Sequence, residues 1–401
     1  MPEDQFALMR EILAAPSPVG MEAAMTEGVL VPSFAPWKPE GWEVARFRGN
    51  AGVVLDSHPG RADLPSVMVI GHADKIRLQV RSISDDGKIW VDSDSFLPTT
   101  LLGHEVVLFC ENPEQPGTWR RIEGGTIEAI GAIHFAEGEM RSGKSGIKPE
   151  MLYLDLQIHG DHRRKQVESL GIRSGDPILL NRPIKRGFSP NTFYGAYLDN
   201  GLGCFVAAEI ARLIAQGGGL KNVRLMSAFA SHEEIGRMGS RVLAAELRPD
   251  VVIAVDVAHD YAAAPGVGDK RFPPIAMNKG FTLSVGSIVS AQLNAIIQKA
   301  ARAREIPFQT RSAGRDTGTD AMAAVFASID AAATSIGFPI RNMHTISESG
   351  HTSDVLAAIH VIVQALRDMD AMNGGAGITR DDLRLGHPRL DRSAPLSHGK
   401  A

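Results

Sequence analysis

Cysteine is nearly absent from this chain of 401 residues: only Cys110 and Cys204 occur, far apart and without metal-type spacing. Neither a disulfide framework nor a cysteine-built metal site is therefore expected. Charge of one sign is lacking too. The formal net charge is −4 with both signs interspersed, which leaves no broad basic surface for nucleic acid. No run approaches the ~18–20 apolar residues that a membrane span needs. The opening MPEDQFALMREILAAPSPVG has neither a basic start nor a long apolar stretch. It reads as an amphipathic helix carried by Phe6, Leu8, Met9, Ile12 and Leu13, not as a secretion signal. No repeat occurs at solenoid or propeller periods. These absences leave a globular, cytoplasmic protein as the expectation.

What is present has α/β texture. The length predicts two domains rather than one small core. Four short apolar runs, Ser66–Ile70, Val223–Phe229, Val251–Val257 and Ala331–Ile336, read as strands buried on both faces. Helical periodicity lies between and after them. Leu202–Ala215 shows it and stops at Gly217, Gly218 and Gly219; Leu293–Arg302 and Val355–Met369 show it as well. Strands alternating with helices predict a three-layer α/β sandwich around a mostly parallel sheet. From Lys75 to Phe188 the texture changes. Short alternating runs such as Ile89–Val91 and Val106–Phe109 sit among Gly, Asp, Pro and Asn turn signals, as in a small inserted β domain. The expected organisation is a discontinuous α/β domain over 1–74 and 189–372, a β-rich insertion over 75–188, and a flexible or partner-dependent tail over 373–401.

The chemistry-bearing residues fall at strand ends or in the loops that follow. They are His72 in VMVIGHAD, Asp199 in YLDNGLG, Glu233 and Glu234 in AFASHEEIG, Asp256 in VVIAVDV, and His344 in RNMHTISES. In open α/β sheets, sites form beyond the carboxyl ends of the strands. Each residue alone also has an ordinary reading. His72 and His344 could be hydrogen-bonded structural histidines, Asp199 a turn and helix cap, and Glu233–Glu234 a solvated pair at a helix start. Asp256 resists such a reading, because an acid ending VVIAV meets a nearly buried site where an unpaired charge is costly. Taken together, two imidazoles and several carboxylates form a nitrogen–oxygen set suited to zinc, cobalt or manganese. One carboxylate could bridge two ions, and a non-ligating one could serve as general base. Asp74, two residues after His72, could accept the second ring N–H and fix the tautomer.

An ordered series of motifs from about Leu8 to Leu366 resembles the dizinc aminopeptidases that assemble into tetrahedral particles, the glutamyl and deblocking aminopeptidase family. The series is APSPVGME, GHAD, YLDNGLG, HEEIG, AVDV, IPFQ, GTDA (Gly318–Ala321) and PIRNMHTISE. The resemblance implies that His72 and Asp256 hold one metal, that Glu234 and His344 hold the other, and that Asp199 bridges both. It implies Glu233 as general base and acid, with Asp74 orienting His72 and a cis peptide at Asp199–Asn200. His232, Asp320 and Arg341 are expected to support the substrate site. The activity implied is removal of N-terminal residues from peptides by a water held between two divalent ions, zinc first, cobalt or manganese as substitutes. A large homo-oligomer is implied as well, a dodecamer built partly through the insertion.

Four positions depart from the family pattern. Lys75 stands where Glu is usual, Gly201 where a basic residue is usual, Asn342 where Tyr is usual, and His232 where Gln is common. A Glu-to-Lys change beside the metals is expected to alter which substrate charge is tolerated. Three other readings stay open at this point: a metal-dependent amidase or deacylase on a small non-peptide amide, a metal-free glycosidase, and a non-catalytic scaffold. His259, Asp260 and His351 are unplaced by the pattern, and His360 reads as an ordinary helix residue.

Overall fold

The computed structural model describes residues 1–93, 96–264, 266–267 and 273–384. In chain order the strands are β1 (Glu43–Phe47), β2 (Gly52–Asp56), β3 (Ser66–His72), β4 (Leu78–Ile83), β5 (Ile89–Ser93), β6 (Glu105–Glu111), β7 (Trp119–Glu128), β8 (Tyr153–Asp155), β9 (Pro177–Leu180), β10 (Lys185–Arg186), β11 (Thr192–Gly195), β12 (Arg224–Ala230), β13 (Val251–His259), β14 (Phe281–Val285), β15 (Phe308–Ser312), β16 (Ala332–Ile340) and β17 (Glu348–His351). The longer helices are α1 (Glu3–Ala14), α2 (Leu198–Gln216), α3 (Met238–Leu247), α4 (Ala291–Ala303) and α5 (Thr352–Gly375).

Eight strands form one sheet in the order β1-β2-β12-β3-β13-β16-β14-β15. Its centre, β12-β3-β13-β16, is parallel throughout, while β2 joins β12 and β14 joins β16 antiparallel. The four apolar runs fall on these central strands because a strand covered on both faces has no solvent side on which to place polar residues. One face packs against α1, α2, α4 and α5 in a core that includes Phe6, Met9, Phe205, Ile253, Ile297 and Ile362. The other face carries a smaller core of Val54, Met68, Ile70, Met226 and Leu243. Truncating one such side chain to alanine typically costs ~2–5 kcal/mol. The layers are therefore helix, sheet, helix, with a mostly parallel sheet.

Six strands, β4-β5-β8-β7-β6-β9, close into a separate barrel around Leu78, Val91, Leu108, Leu154 and Ile178. A three-stranded sheet, β10-β11-β17, joins the chain leaving the barrel to the segment before α5. Beyond α5 the chain stays anchored as far as Arg384: Ile378 is buried and Arg380 pairs with Asp250. The rest of the expected tail, 385–401, lies outside the described residues. Among the described residues no helix is long and apolar enough to cross a membrane.

One close approach sets the geometry of the site. A Cβ on Gly71, near the end of β3, would lie 2.6 Å from the backbone of Gly203 in α2. A Cβ on Gly203 would in turn lie 2.4 Å from the carbonyl oxygen of Val255. Only glycine at both places lets the start of α2 press onto the sheet. Asp199 is thereby carried over the ends of β3 and β13. The first turn of α2 is broken by non-helical backbone at Asp199 and Asn200, and the peptide between them is cis.

Candidate metal centre

The parallel register brings the site together. Ala230 of β12 pairs with His72 of β3, so Glu233 and Glu234 follow three and four residues beyond His72's partner. Ala254 of β13 pairs with Ile70, which puts Asp256 level with His72 on the other side. β16 runs beside β13 to Ile340 and delivers the loop that carries His344.

His72 is 1% exposed and faces three acids through Nε2: Asp199 Oδ1 at 3.2 Å, Glu233 Oε2 at 3.7 Å and Asp256 Oδ1 at 4.0 Å. His344 Nε2 lies 3.2 Å from Asp199 Oδ2 and 3.7 Å from Glu234 Oε2. Asp199 thus stands between the two imidazoles, one oxygen toward each. Two groups result, His72–Asp199–Asp256 and Asp199–Glu234–His344, each with donor atoms within 4.8 Å of one another.

The electrostatics of this cluster favour bound positive charge. Burial, then the Asp199 charge, pushes the Glu234 and Asp256 carboxyls well above their ordinary range. Burial lifts Glu233 to about 9. Burial also opposes ionisation of Asp199, but the hydrogen bond with His344 and the close His72 imidazole more than offset it and hold that carboxyl low. The His72 imidazole is raised well above its usual value because Glu233, Asp199 and Asp74 outweigh its burial. Asp199 Oδ1 and Glu234 Oε1 are buried and lack any aligned hydrogen bond. Buried carboxylate oxygens without donors are expensive, and divalent cations would satisfy them. The donor set, two imidazoles with oxygens from three carboxylates, fits zinc-type ions.

Around these residues the support differs in detail from the sequence expectation. The Asp74 carboxylate lies 3.5 Å from His72 Nδ1, but the shorter contact, 3.2 Å, is to the main-chain oxygen of Asp74. Each oxygen of the Asp74 carboxylate instead accepts a backbone N–H, from Glu233 and Glu234, both at 3.0 Å. Asp74 therefore aims the glutamate pair as well as the histidine. Two further acids do similar work that the sequence reading left without a role. Buried Glu348 accepts from the N–H groups of Leu198 at 2.6 Å and His344 at 2.7 Å, tying both sides of the site together. Buried Glu22, from the APSPVGME segment, accepts from the His232 N–H at 3.2 Å and lies 2.9 Å from His232 Nδ1. His232 and His344 both hold left-handed backbone, at φ 57° and 59°, which a residue other than glycine rarely adopts.

The remaining expected residues lie at the margin. Asp320 is buried, has no aligned partner for either oxygen, and is pushed up to about 6 by burial; it belongs to neither donor group. Arg341 is turned to Asp260, Nε to Oδ2 at 2.9 Å, and not to the acids of the centre. Lys75 corrects an expectation. Its amine does not face the site; it is buried, donates to the carbonyl oxygens of Leu13 and Ala15, and lies 5.3 Å from the Tyr197 ring centroid. A charge spent on the chain's own carbonyls cannot select substrate charge. Cys204 is buried with its thiol on the carbonyl of His72, and Cys110 is buried in the barrel. His351 bonds Ser353 at the start of α5, and His360 is exposed on that helix.

Known proteins agree with this architecture. The sequence model of the M42 glutamyl aminopeptidase family matches residues 52–361. A lysyl aminopeptidase of Pyrococcus furiosus is 28% identical over 376 residues, 92% of this chain and 98% of that protein. Among solved structures, a TET aminopeptidase from a marine sediment thaumarchaeote superposes with a TM-score of 0.79 at 21% identity, covering 91% of this chain and 96% of its own. The TET1 peptidase of Pyrococcus horikoshii, which can assemble into a tetrahedron or a large octahedral shell, gives 0.72 at 17% identity over 90% and 98%. With the family model spanning most of the chain and the residues of the centre gathered at one end of its sheet, this protein belongs to the M42 metallopeptidase family and is an aminopeptidase.

Proposed function

We propose that the protein removes N-terminal residues from peptides with two divalent ions, one held by His72, Asp199 and Asp256 and the other by Asp199, Glu234 and His344. The observation that carries this reading is the pair of donor groups sharing Asp199, with Asp199 Oδ1 and Glu234 Oε1 buried and lacking an aligned hydrogen bond. Bound zinc, or cobalt or manganese in its place, would polarise the scissile carbonyl and make an attacking water more acidic. The protein's own part is proton transfer and aim. Glu233 lies beside His72 but belongs to neither donor group, which leaves its carboxylate free to work as a base. Burial alone would keep Glu233 protonated near neutrality; positive charge in the adjacent groups lowers it toward a working range. Glu233 takes a proton from the attacking water and returns it to the leaving amine. Asp74 and Glu22 position it by holding the backbone of 232–234.

The same reading places the chain in a large homo-oligomer, a dodecamer, in the cytoplasm. Exposed apolar side chains on the barrel and its borders, Leu97, Trp119, Phe135 and Phe188, support an assembled state. The two cysteines, both free, fit a reducing compartment. Light scattering that finds only monomer at every concentration and metal level would reject the assembly. The activity is tested by metal analysis beside a substrate panel of aminoacyl anilides, short peptides and simple N-acyl amides. Chelator-sensitive release of free N-terminal residues is expected. Turnover of N-acyl amides alone would replace the aminopeptidase with a deacylase.

A further inference from the structure

Glu233 owes its aim to two fully buried acids from different parts of the chain. Glu22 accepts the N–H of His232, and Asp74 accepts those of Glu233 and Glu234. Three consecutive backbone groups are thus held by two carboxylates, and they stay in place only while the two carboxylates keep their positions relative to one another. That matters for rate, since misplacing a reacting group by ~1 Å can cost about 10²-fold.

The segments that carry the two acids meet at Lys75, the residue after Asp74. The Lys75 N–H donates to the Ser17 carbonyl at 3.0 Å, and the Lys75 carbonyl accepts the Val19 N–H at 3.2 Å, forming a short parallel bridge at Pro18. The side chain adds a second tie. Its Nζ donates to the Leu13 carbonyl at 2.7 Å and to the Ala15 carbonyl. Those oxygens belong to the end of α1, where a helix supplies no N–H of its own and its dipole favours a cation. Tyr197 holds the amine from another side: its ring centroid lies 5.3 Å away, and its hydroxyl accepts the Leu180 N–H at 2.8 Å. Any residue at position 75 could make the backbone tie. The side-chain tie needs a donor long enough to reach α1, which the Glu usual in the family pattern cannot supply. A cavity of about 130 Å³, lined by Lys75, Leu13, Ala15 and Tyr197 among others, leaves room there for a larger basic head group.

We infer that Lys75 is a positioning residue for Glu233: its amine fixes the end of α1, and with it the segment that carries Glu22, against the strand end that carries Asp74. This rests on the aminopeptidase reading above. The test uses metal-loaded protein and the anilide that the parent turns over fastest, with kcat taken per metal-loaded chain. Lys75→Met keeps the length of the side chain without its donors, so kcat should fall about 10-fold while KM stays within about 2-fold and metal content is unchanged. Lys75→Arg restores charge and donors and should return kcat to within about 3-fold of the parent. Glu22→Met should also lower kcat about 10-fold, and the double variant with Lys75→Met should be at most about 2-fold slower than the slower single one, because independent losses would multiply. Should Lys75→Met not fold, Lys75→Gln, with an uncharged and shorter donor, takes its place under the same expectations. An unchanged kcat, a loss confined to KM, equal losses in the Met and Arg variants, or losses that multiply with Glu22→Met each overturn the inference and leave the aminopeptidase standing. If the parent releases no residue from any anilide, the aminopeptidase reading fails and this role with it.

Discussion

The two ends of the central sheet treat buried acids in opposite ways. At the end where the parallel strands begin, Asp56 is forked by the Arg224 guanidinium, and Asp250 accepts from the N–H and hydroxyl of Ser66 and pairs with Arg380. At the end where they finish, Asp199, Glu233, Glu234 and Asp256 converge on two imidazoles, and among the described residues no arginine or lysine forms an ion pair with any of them within 4 Å. Both ends are built from the same strands, so the difference is one of partners. A carboxylate matched to an arginine is finished as a structural element. A carboxylate left buried beside other carboxylates waits for a cation from outside the chain. The comparison identifies the working end of the sheet without reference to any relative.

The sharpest way to break that contrast is to change single acids at the working end. Glu233→Gln cannot take a proton from water, so kcat should fall by about 10²–10⁴-fold while metal per chain and fold stay unchanged. Glu234→Gln should lose metal instead, because a neutral amide is a poorer ligand than a carboxylate for a divalent ion. Metal analysis and kcat in one buffer read both. If Glu233→Gln sheds metal and Glu234→Gln keeps it, the two roles are exchanged. Normal activity in either variant removes that residue from its assigned role.

Much of this end was legible in the sequence because strand ends are legible. His72 and Asp256 close apolar runs that could be nothing but buried strands, and polar residues there stand out. Glu233, Glu234 and His344 lie in loops that follow strands, where each alone also had an ordinary reading, and their roles came from the ordered motif series. The roles of Glu22 and Glu348 were not legible, although both sit inside quoted motifs. Their partners are backbone N–H groups, which every residue supplies and no side-chain pattern advertises. The outer strands β1 and β15 escaped for a related reason. Half exposed and carrying sequences such as EVARF and FQTRS, they lack the apolar run that marked the centre. Lys75 and Gly201, read as separate departures, meet at one residue in the fold. The Lys75 amine donates to the Leu13 carbonyl, and a Cβ at Gly201 would lie 2.7 Å from Leu13 Cδ2. A side chain at position 201 would first meet the end of Leu13, so the two departures border the same residue.

The structural end of the sheet supplies the intermediate effect. Arg224→Ala leaves Asp56 largely buried without its cation, and breaking such a pair typically costs ~3–5 kcal/mol. Partial exposure of Arg224 should bring the loss toward ~2–3 kcal/mol, read as a lower urea midpoint. Metal content and kcat/KM of the remaining folded protein should be unchanged. Loss of metal in Arg224→Ala would mean that the two ends are coupled and that the contrast between them is false.

Lys75 gives the smallest and subtlest effect, because it tests whether a buried charge needs an opposite charge at all. Its amine meets carbonyl oxygens and an aromatic face, and burial pushes its pKa down from 10.5 to about 7. In the unfolded chain the amine returns to its ordinary value near 10.4. Between about pH 7 and 10 the unfolded state therefore binds more protons than the folded one, and stability must rise with pH across that window. Below it both states are charged, and the cost of burial is constant. The slope is at most ~1.4 kcal/mol per pH unit, and the two carbonyl acceptors, which favour the ammonium form, reduce it. Other groups titrate over the same range, so the useful quantity is the difference between the parent protein and Lys75→Met, measured by urea unfolding at pH 7.5 and 9.5. The parent should gain on the variant as pH rises. A constant difference would show that two carbonyls and one ring hold an ammonium ion as well as water does, and that unpaired burial is tolerable for a cation here where it is not for the acids at the sheet's working end.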